Sequence, residues 1–197
     1  MSKRNVAILV FNDVEVLDFA GPFEVFSVTS ELNNYKYFDA YTVAEKLRAI
    51  TTVNGLSVNP RYCFADCPRP NILIIPGGVG SRVAMNNPHV IEWVKASSQQ
   101  AEIVLSVCSG ARILAKSGLL DGLAATTHHE VIEHLRELAP TVTIRENLRF
   151  VDAGKIMTSG GISAGIDLSF HVVHKLLGEE TTAKTARYME YNWKVAA

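Results

Sequence analysis

The sequence predicts an α/β fold, a three-layer sandwich around a mostly parallel central sheet. Two observations support this prediction. Continuous apolar runs at 6–11, 71–75 and 102–107 show no polar alternation, which is typical of parallel strands buried on both faces. Helical patterns alternate with these runs over short links, and this order favours helices on both faces of one sheet.

The remaining elements are predicted from local signals. Gly21-Pro22 followed by Glu24 predicts a helix start, because proline suits the first helical position and an acid suits the first turn. Further helices are predicted at 88–98, 111–117, 130–138, 164–177 with Gly178 as its end, and 182–192. Strands are predicted at 36–44 and 49–58, exposed around a turn at the sheet edge, and a short one at 123–125.

Length and composition indicate one domain over residues 1–197, with 185–197 as a C-terminal helical tail. The 197 residues are 48% hydrophobic, which excludes intrinsic disorder. The 19 Lys plus Arg against 20 Asp plus Glu argue against nucleic-acid binding through a basic surface. No apolar run reaches the ~18 residues of a membrane span. An odd cysteine count, 3, favours a reducing cytoplasm over a disulfide framework.

The segment around Cys108 is the strongest chemical signal. A buried strand at 102–107 leads directly into a helix, and small residues, Ser106 and Gly110, flank the cysteine at the turn. This pattern predicts a nucleophile elbow, a sharp turn that holds the side chain above the sheet edge. The amides of the starting helix are expected to lower the pKa of the thiol. A buried structural cysteine is the alternative interpretation.

Two glycine-rich junctions are predicted at the same sheet edge. Gly77 and Gly78 follow the strand at 71–75, and their amides could approach a ligand as an oxyanion hole requires; an ordinary turn explains them as well. Ser159 to Asp167 is a similar glycine-rich entry into a helix. Three such junctions at one edge of a parallel sheet predict a crevice for a small-molecule substrate.

The acids and histidines offer candidates for proton transfer. Asp18 lies between apolar neighbours, so partial burial is expected to raise its pKa into a range suited to proton transfer; Glu15 and Glu24 are the competing carboxyl groups. His128 is a candidate base or orienter for Cys108, or the cap of the helix that follows. Four histidines are predicted to be surface or packing residues: His89, His134, His171 and His174.

No metal or other cofactor is predicted. Cys63 and Cys67 form a single C-x3-C pair without a second pair or a nearby histidine, which argues against a zinc site. His128 and His129 are adjacent, so they diverge in direction, and no partner at helical i, i+4 spacing accompanies them. The glycine motifs lack the spacing of a dinucleotide fingerprint or a P-loop.

With these motifs in place, the chain resembles the ThiJ/PfpI superfamily. Six stretches match in family order over roughly residues 5–178: Leu17-Asp-Phe-Ala-Gly-Pro22, Phe64-Ala-Asp-Cys-Pro68, Ile75-Pro-Gly-Gly78, Ser106-Val-Cys-Ser-Gly110, Ala125-Thr-Thr-His128 and Thr158-Ser-Gly-Gly-Ile-Ser-Ala-Gly-Ile-Asp167. The resemblance implies a flavodoxin-like fold, like that of class I glutamine amidotransferases, and a homodimer. Within the superfamily the stretches are most similar to isocyanide hydratases and to the ligand-sensing domain of AraC-type regulators.

The resemblance implies a role for each matching residue. Cys108 would be the nucleophile, Asp18 the acid that holds or donates a proton, and Gly78 and Ser109 the donors of backbone amides to a developing anion. A hydratase would attack the isocyanide carbon with Cys108 and release an N-formamide. The resemblance is also compatible with an amidase or hydrolase of unknown substrate.

The sequence also departs from parts of the family pattern. Ser109 follows the nucleophile where isocyanide hydratases carry Thr and PfpI-type proteases carry His, which argues against protease activity. Ser159-Gly-Gly-Ile-Ser163 stands where glutamine amidotransferases carry a His-x-Glu motif. The second hypothesis is a sensor domain without turnover, in which Cys108 reacts with oxidants; no DNA reader and no nucleic-acid partner are expected for it.

Overall fold

The computed structural model describes residues 3–194. The strands are β1 (Arg4–Leu9), β2 (Phe38–Ala44), β3 (Ile50–Thr51), β4 (Ser57–Val58), β5 (Tyr62–Cys63), β6 (Ile72–Ile75), β7 (Ile103–Ser106), β8 (Ala124–Ala125), β9 (Thr143–Ile144), β10 (Phe150–Ala153) and β11 (Ile156–Ser159). The helices are α1 (Val16–Glu31), α2 (Ser81–Ala84), α3 (Pro88–Gln100), α4 (Ala111–Lys116), α5 (Ile132–Leu138) and α6 (Ala164–Tyr188). Two 3₁₀ turns, Cys108–Gly110 and His129–Val131, precede α4 and α5.

The predicted α/β architecture is confirmed. Seven strands form one sheet in the order β10-β11-β7-β6-β1-β2-β5. Every neighbouring pair in it is parallel except β10 with β11. All four residues of both β6 and β7 are buried, as expected for strands that helices cover on both faces.

Two separate cores lie on the two faces of the sheet and create the three layers. Val6 and Ile8 of β1 pack with α1 and α6 on one face. Ala7 and Leu9 of the same strand pack with α2 to α5 on the other. Side chains alternate between the faces of a strand, so each central strand contributes to both cores. Within residues 3–194, no helix combines the length and the apolar character that a membrane crossing needs.

The prediction of exposed edge strands at 36–44 and 49–58 was wrong in part. β2 lies inside the sheet, between β1 and β5, and Phe38 packs edge-on against Phe26 with ring centroids 5.0 Å apart. Residues 50–58 form a separate hairpin of β3 and β4. Two polar residues of β2, Asp39 and Thr42, accept hydrogen bonds from Arg61, which precedes β5, and local sequence cannot show this contact.

The helix predicted to start at Gly21-Pro22 begins earlier, at Val16, so Pro22 lies inside α1. Pro22 cannot donate to the carbonyl of Asp18 four residues before it. α1 packs along α6, and a methyl group on Gly21 would stand 2.9 Å from Ile166 Cγ1. Tertiary packing therefore supports a helix that local rules would have started one turn later.

The C-terminal prediction holds only up to Tyr188. Gly178 interrupts α6 with φ of 82°, as predicted, but the helix resumes and ends at Tyr188 rather than at Asn192. The chain then folds back: the Tyr191 ring stacks on Phe170 at 5.3 Å, and Tyr191 donates to Asp167 at 2.8 Å. The last part of the predicted tail, 195–197, lies outside the described residues.

Candidate active site

Cys108 lies on the tight turn that the sequence predicts between β7 and α4. Its φ is +55°, a left-handed conformation that costs a residue with a Cβ roughly 1–2 kcal/mol. Two hydrogen bonds hold it there: its N–H donates to the Gly160 carbonyl at 3.0 Å, and its carbonyl accepts from Thr127 Oγ1 at 2.8 Å. A Cβ on Gly110 would stand 2.1 Å from the Ile75 carbonyl oxygen, so the turn requires glycine there.

Thr127 is a positioning residue that the sequence analysis did not single out. We expect Thr127→Val to lower the free energy of unfolding by about 1–2 kcal/mol, because the Cys108 carbonyl would lose its buried donor. Thr127→Ser keeps the hydroxyl and should cost clearly less. Urea unfolding measures both variants, and equal stability of Thr127→Val and the unaltered protein would contradict this role.

Asp18 lies beneath the same turn and is fully buried. Its Oδ2 accepts from the Gly77 N–H at 2.9 Å, while Oδ1 has no hydrogen-bond partner among the described residues. Burial raises the pKa of Asp18 to about 7, with a smaller contribution from the negative charge of Glu15; the Gly77 amide and the Cys108 side chain oppose this shift. Because Oδ2 is occupied, Oδ1 is the oxygen that can carry the proton.

The thiol of Cys108 differs from the prediction. Burial raises its pKa to about 11, and the neighbouring Asp18 carboxylate adds to the shift. The amides of Ser109 and Ile162 and the Ser109 hydroxyl act in the opposite direction but do not outweigh it. The prediction of a lowered thiol pKa was therefore wrong, because it counted the helix amides and not the loss of water around the sulfur.

The glycine turn after β6 is closely packed against Asp18 and Ser109. Gly77 donates its N–H to Asp18, and Gly78 donates its N–H to Ser109 Oγ at 3.0 Å. Ser109 Oγ also lies 3.1 Å from the Gly78 carbonyl, to which it can donate. Both predicted amide donors of the turn thus already have acceptors within the protein. The amides that face the sulfur are those of Ser109 and Ile162.

A side chain at Gly77 should disrupt this packing. A Cβ there would stand 2.5 Å from Ser109 Oγ, 2.6 Å from the Ser109 nitrogen and 2.9 Å from Asp18 Oδ2. We expect Gly77→Ala to lower the free energy of unfolding by about 1–3 kcal/mol, the usual cost of overpacking. Gly160→Ala is the matched control, because its nearest contact would be an ordinary 3.6 Å; denaturant unfolding that ranks the two variants equally would contradict this.

A cavity of about 230 Å³ opens above Cys108, below the roughly 300–1,000 Å³ of typical ligand pockets, so it suits only a small ligand. It is lined by Glu15, Val53, Gly78, Val79, Arg82, Cys108, Ser109, Arg112, His128, Glu130, Val131 and Ile162. Cys108 is 7% exposed, so its sulfur borders the cavity. Asp18 does not line the cavity; it lies below the cysteine.

His128 lines the cavity, and its side chain caps the 3₁₀ turn that follows it. Its Nδ1 accepts from the Glu130 N–H at 3.3 Å, as the capping alternative predicts. Burial lowers the pKa of His128, with further lowering by His129 and Arg112 and an opposing effect from Glu130. A role for His128 in substrate binding stays a prediction.

Arg112 and Ser81 extend the site in a way that the sequence analysis missed. Arg112 Nε donates to His134 Nδ1 at 3.0 Å, and Nη1 donates to Ser81 Oγ at 3.2 Å. Ser81 Oγ in turn donates to Ser109 Oγ at 3.1 Å. The spacing of Arg112, four residues after Cys108, was the available signal, because such residues share a helix face. His134, predicted to be a surface or packing residue, is half-buried and accepts this hydrogen bond from Arg112.

No cluster suited to a metal is found in the described part of the chain, where no three His, Cys, Asp or Glu side chains come together for one. Cys63 and Cys67 are free thiols away from the cavity. Cys67 contacts the Tyr41 hydroxyl at 4.0 Å.

The fold and this site define an α/β protein with a cysteine on a strand-to-helix turn above a buried carboxyl group. The chain belongs to the DJ-1/PfpI family, whose model matches residues 4–175. The predicted superfamily is thereby confirmed.

Three similar proteins illustrate the relationship. Isonitrile hydratase of Pseudomonas putida is 32% identical over 187 residues, which cover 94% of this chain and 78% of that protein. The transcriptional regulator GbdR of Pseudomonas aeruginosa is 24% identical over 190 residues, 96% of this chain and 51% of the regulator, so the chain spans about half of it. The crystal structure of a ThiJ/PfpI family protein from Pseudomonas syringae has a TM-score of 0.88 and 28% identity, and the match covers 100% of this chain and 78% of that one.

Proposed function

We propose that this protein is a cysteine-dependent enzyme that hydrates an isocyanide to an N-formamide, with Cys108 as nucleophile and Asp18 as proton carrier. The observation that carries the proposal is the fully buried Asp18 carboxyl beneath Cys108, with a pKa of about 7 and one oxygen without a partner. A binding site needs no such group, whereas proton transfer near neutral pH does. The similarity to isonitrile hydratase supports the choice of substrate.

The first step forms a thioimidate. The Cys108 thiol proton passes to Asp18 Oδ1 while Sγ bonds to the terminal carbon of the isocyanide. Asp18 then delivers this proton to the same carbon, which gives R–N=CH–S–Cys108. The amides of Ser109 and Ile162 face the sulfur and stabilise the negative charge that develops on it before the bond forms.

The second step consumes water. A water oxygen bonds to the thioimidate carbon, and one of the two water protons passes to the nitrogen. The resulting R–NH–CH(OH)–S–Cys108 collapses: the C–S bond breaks, the hydroxyl proton returns to the Asp18–Cys108 pair, and R–NH–CHO leaves. The sum is one isocyanide and one water to one formamide, and both residues end as they began.

The test is release of formamide from small alkyl and aryl isocyanides, followed by chromatography of the product. Turnover by the purified protein supports the proposal. Absence of turnover with correctly folded protein overturns it, and hydrolysis of small amides instead would support the amidase alternative. The homodimer that the resemblance implies and the cytoplasmic location that the cysteine count favours stay predictions.

A ligand-sensing domain is the second candidate, favoured by the similarity of almost the whole chain to GbdR. The hypothesis that Cys108 senses oxidants has less support. Oxidants attack the thiolate, and burial raises the pKa of this thiol to about 11. Binding of a small molecule in the cavity without any turnover would support the sensing function.

A further inference from the structure

Arg112 is a buried charge without a negative partner. The residue is only 4% exposed, and its two hydrogen bonds go to a serine hydroxyl and to a histidine nitrogen. No carboxylate lies within ion-pair distance of it in residues 3–194. Buried guanidinium groups are usually paired, because desolvation of an unpaired charge is costly. The protein therefore retains this charge without internal compensation.

Arg112 lines the cavity above Cys108, and one of its nitrogens has no hydrogen-bond partner among the described residues. Nε and Nη1 are engaged, whereas Nη2 has no hydrogen-bond partner among the described residues and is not fully enclosed. Arg112 and Cys108 line the same cavity and lie four residues apart, on one face of the turn and α4. A ligand atom bound to Nη2 would therefore share the cavity with the reactive sulfur.

The other charges around the cavity do not neutralise Arg112. Glu15 and Glu130 line the cavity, but neither forms an ion pair with Arg112. Arg82 also lines it and adds positive charge. The Arg112 guanidinium therefore has no anionic partner within ion-pair distance among the described residues, although two carboxyl groups line the same cavity.

We propose that the cavity takes a substrate that carries a carboxylate, which Arg112 binds through Nη2 while Cys108 attacks the reactive carbon. Nη2 can donate a charge-assisted hydrogen bond to one carboxylate oxygen, and such a bond is stronger than one between neutral groups. The substrate is then a small isocyanide with a carboxylate substituent, such as isocyanoacetate. The choice of an isocyanide rests on the proposed function. The charge preference itself does not depend on that reaction.

Two reagents of nearly equal size test the charge preference directly. Iodoacetate and iodoacetamide both alkylate a thiolate with loss of iodide, and they differ only in carrying a carboxylate or an amide. We expect the rate ratio of iodoacetate to iodoacetamide at Cys108 to exceed that of 2-mercaptoethanol, a neutral thiol, by about 10-fold or more, which corresponds to about 1.4 kcal/mol. Peptide mass spectrometry reads each cysteine separately, so Cys63 and Cys67 serve as internal references.

Variants assign the preference to Arg112. Arg112→Gln should return the ratio at Cys108 to the value of the free thiol, whereas Lys116→Gln, an exposed change on the same helix outside the cavity, should leave it unchanged. The comparison of the unaltered protein with 2-mercaptoethanol needs no variant, so it tests the charge preference of the cavity even where Arg112→Gln fails to fold. A ratio equal to that of 2-mercaptoethanol overturns the proposal.

A second measurement separates this proposal from the proposed function. If the alkylation ratio is raised and neither neutral isocyanides nor isocyanoacetate release formamide, the carboxylate site stands and the hydratase function fails. If methyl isocyanoacetate and isocyanoacetate are turned over with equal kcat/KM and the ratio is not raised, the carboxylate site fails and the hydratase function stands.

Discussion

Cys108→Ala should lower kcat/KM for isocyanide hydration by at least about 10³-fold, because the covalent step loses its nucleophile. Cys108 is the only cysteine that lines the cavity above the elbow, so no other thiol among the described residues can replace it. The rate of formamide release per enzyme measures the loss. The variant should fold, because alanine fills less space and keeps both backbone hydrogen bonds of the turn.

Cys63→Ala is the matched control, since Cys63 is a free thiol in β5 away from the cavity. Its kcat/KM should stay within about twofold of the unaltered protein, as expected for a residue without contact to substrate. Full activity of Cys108→Ala would refute nucleophilic catalysis at this turn, and loss of activity in Cys63→Ala would show that the assay reports general damage to the fold.

Asp18→Asn should lower kcat/KM by about 10²–10⁴-fold, the usual contribution of a positioned proton carrier. Asparagine can still accept from Gly77, so the change removes the titratable group and keeps the contact. The pH profile gives the sharper result. The Asp18–Cys108 pair holds two protons below about pH 7 and one between about pH 7 and 11.

The reactive pair holds one proton, which Asp18 accepts from sulfur and then gives to carbon. We therefore expect kcat/KM of the unaltered protein to rise as the pH increases through about 7 and to fall only above about 11. In Asp18→Asn the rise near pH 7 should disappear. An unchanged pH profile in this variant would exclude Asp18 as the proton carrier and would favour Glu15, the competing carboxyl group.

The same substitution should increase stability. The pKa of Asp18 rises from 3.8 to about 7 on folding, so the folded state binds the proton more tightly than the unfolded state. This contribution is fully present below about pH 4 and is lost as the pH rises through about 7, a difference of about 4 kcal/mol. Asp18→Asn avoids the loss, and we expect its free energy of unfolding to exceed that of the unaltered protein by about 2–4 kcal/mol at pH 8.

At pH 4 the two proteins should differ much less, because Asp18 is then neutral in the folded state. Urea unfolding at both pH values measures the difference. Asp18→Asn that is less stable at pH 8 would contradict a buried carboxyl with a raised pKa. A variant that is more stable and less active would instead indicate that the carboxyl is kept for its chemistry.

The raised thiol pKa changes how activation of Cys108 must be understood. A resting thiolate would be stabilised by amides and would react with many electrophiles. Here burial and the Asp18 carboxylate keep the proton on sulfur at neutral pH. In the proposed reaction the nucleophile would be generated by proton transfer from Cys108 to Asp18 when substrate is bound.

The fold was predictable where a short stretch of sequence by itself indicates burial. The apolar runs of β1, β6 and β7 have no polar alternation, and a strand of that kind requires cover on both faces. Cys108 could be found for the same reason, since a buried strand followed at once by a helix leaves only one turning residue. The partial misplacement of β2 and of the start of α1 arose because both depend on contacts outside the local sequence, Phe38 with Phe26 and α1 with α6.

The amino-acid order alone therefore established the parallel sheet, the turn at Cys108 and the family of the chain, because periodicity and short motifs are local properties. Burial of ionisable groups is not local. That Asp18 lies fully enclosed under the sulfur, that the thiol pKa rises instead of falling, and that Arg112 faces the cavity without a counter-charge all depend on how distant segments exclude water. Desolvation, the largest contribution to each of these pKa shifts, exists only once the chain has packed.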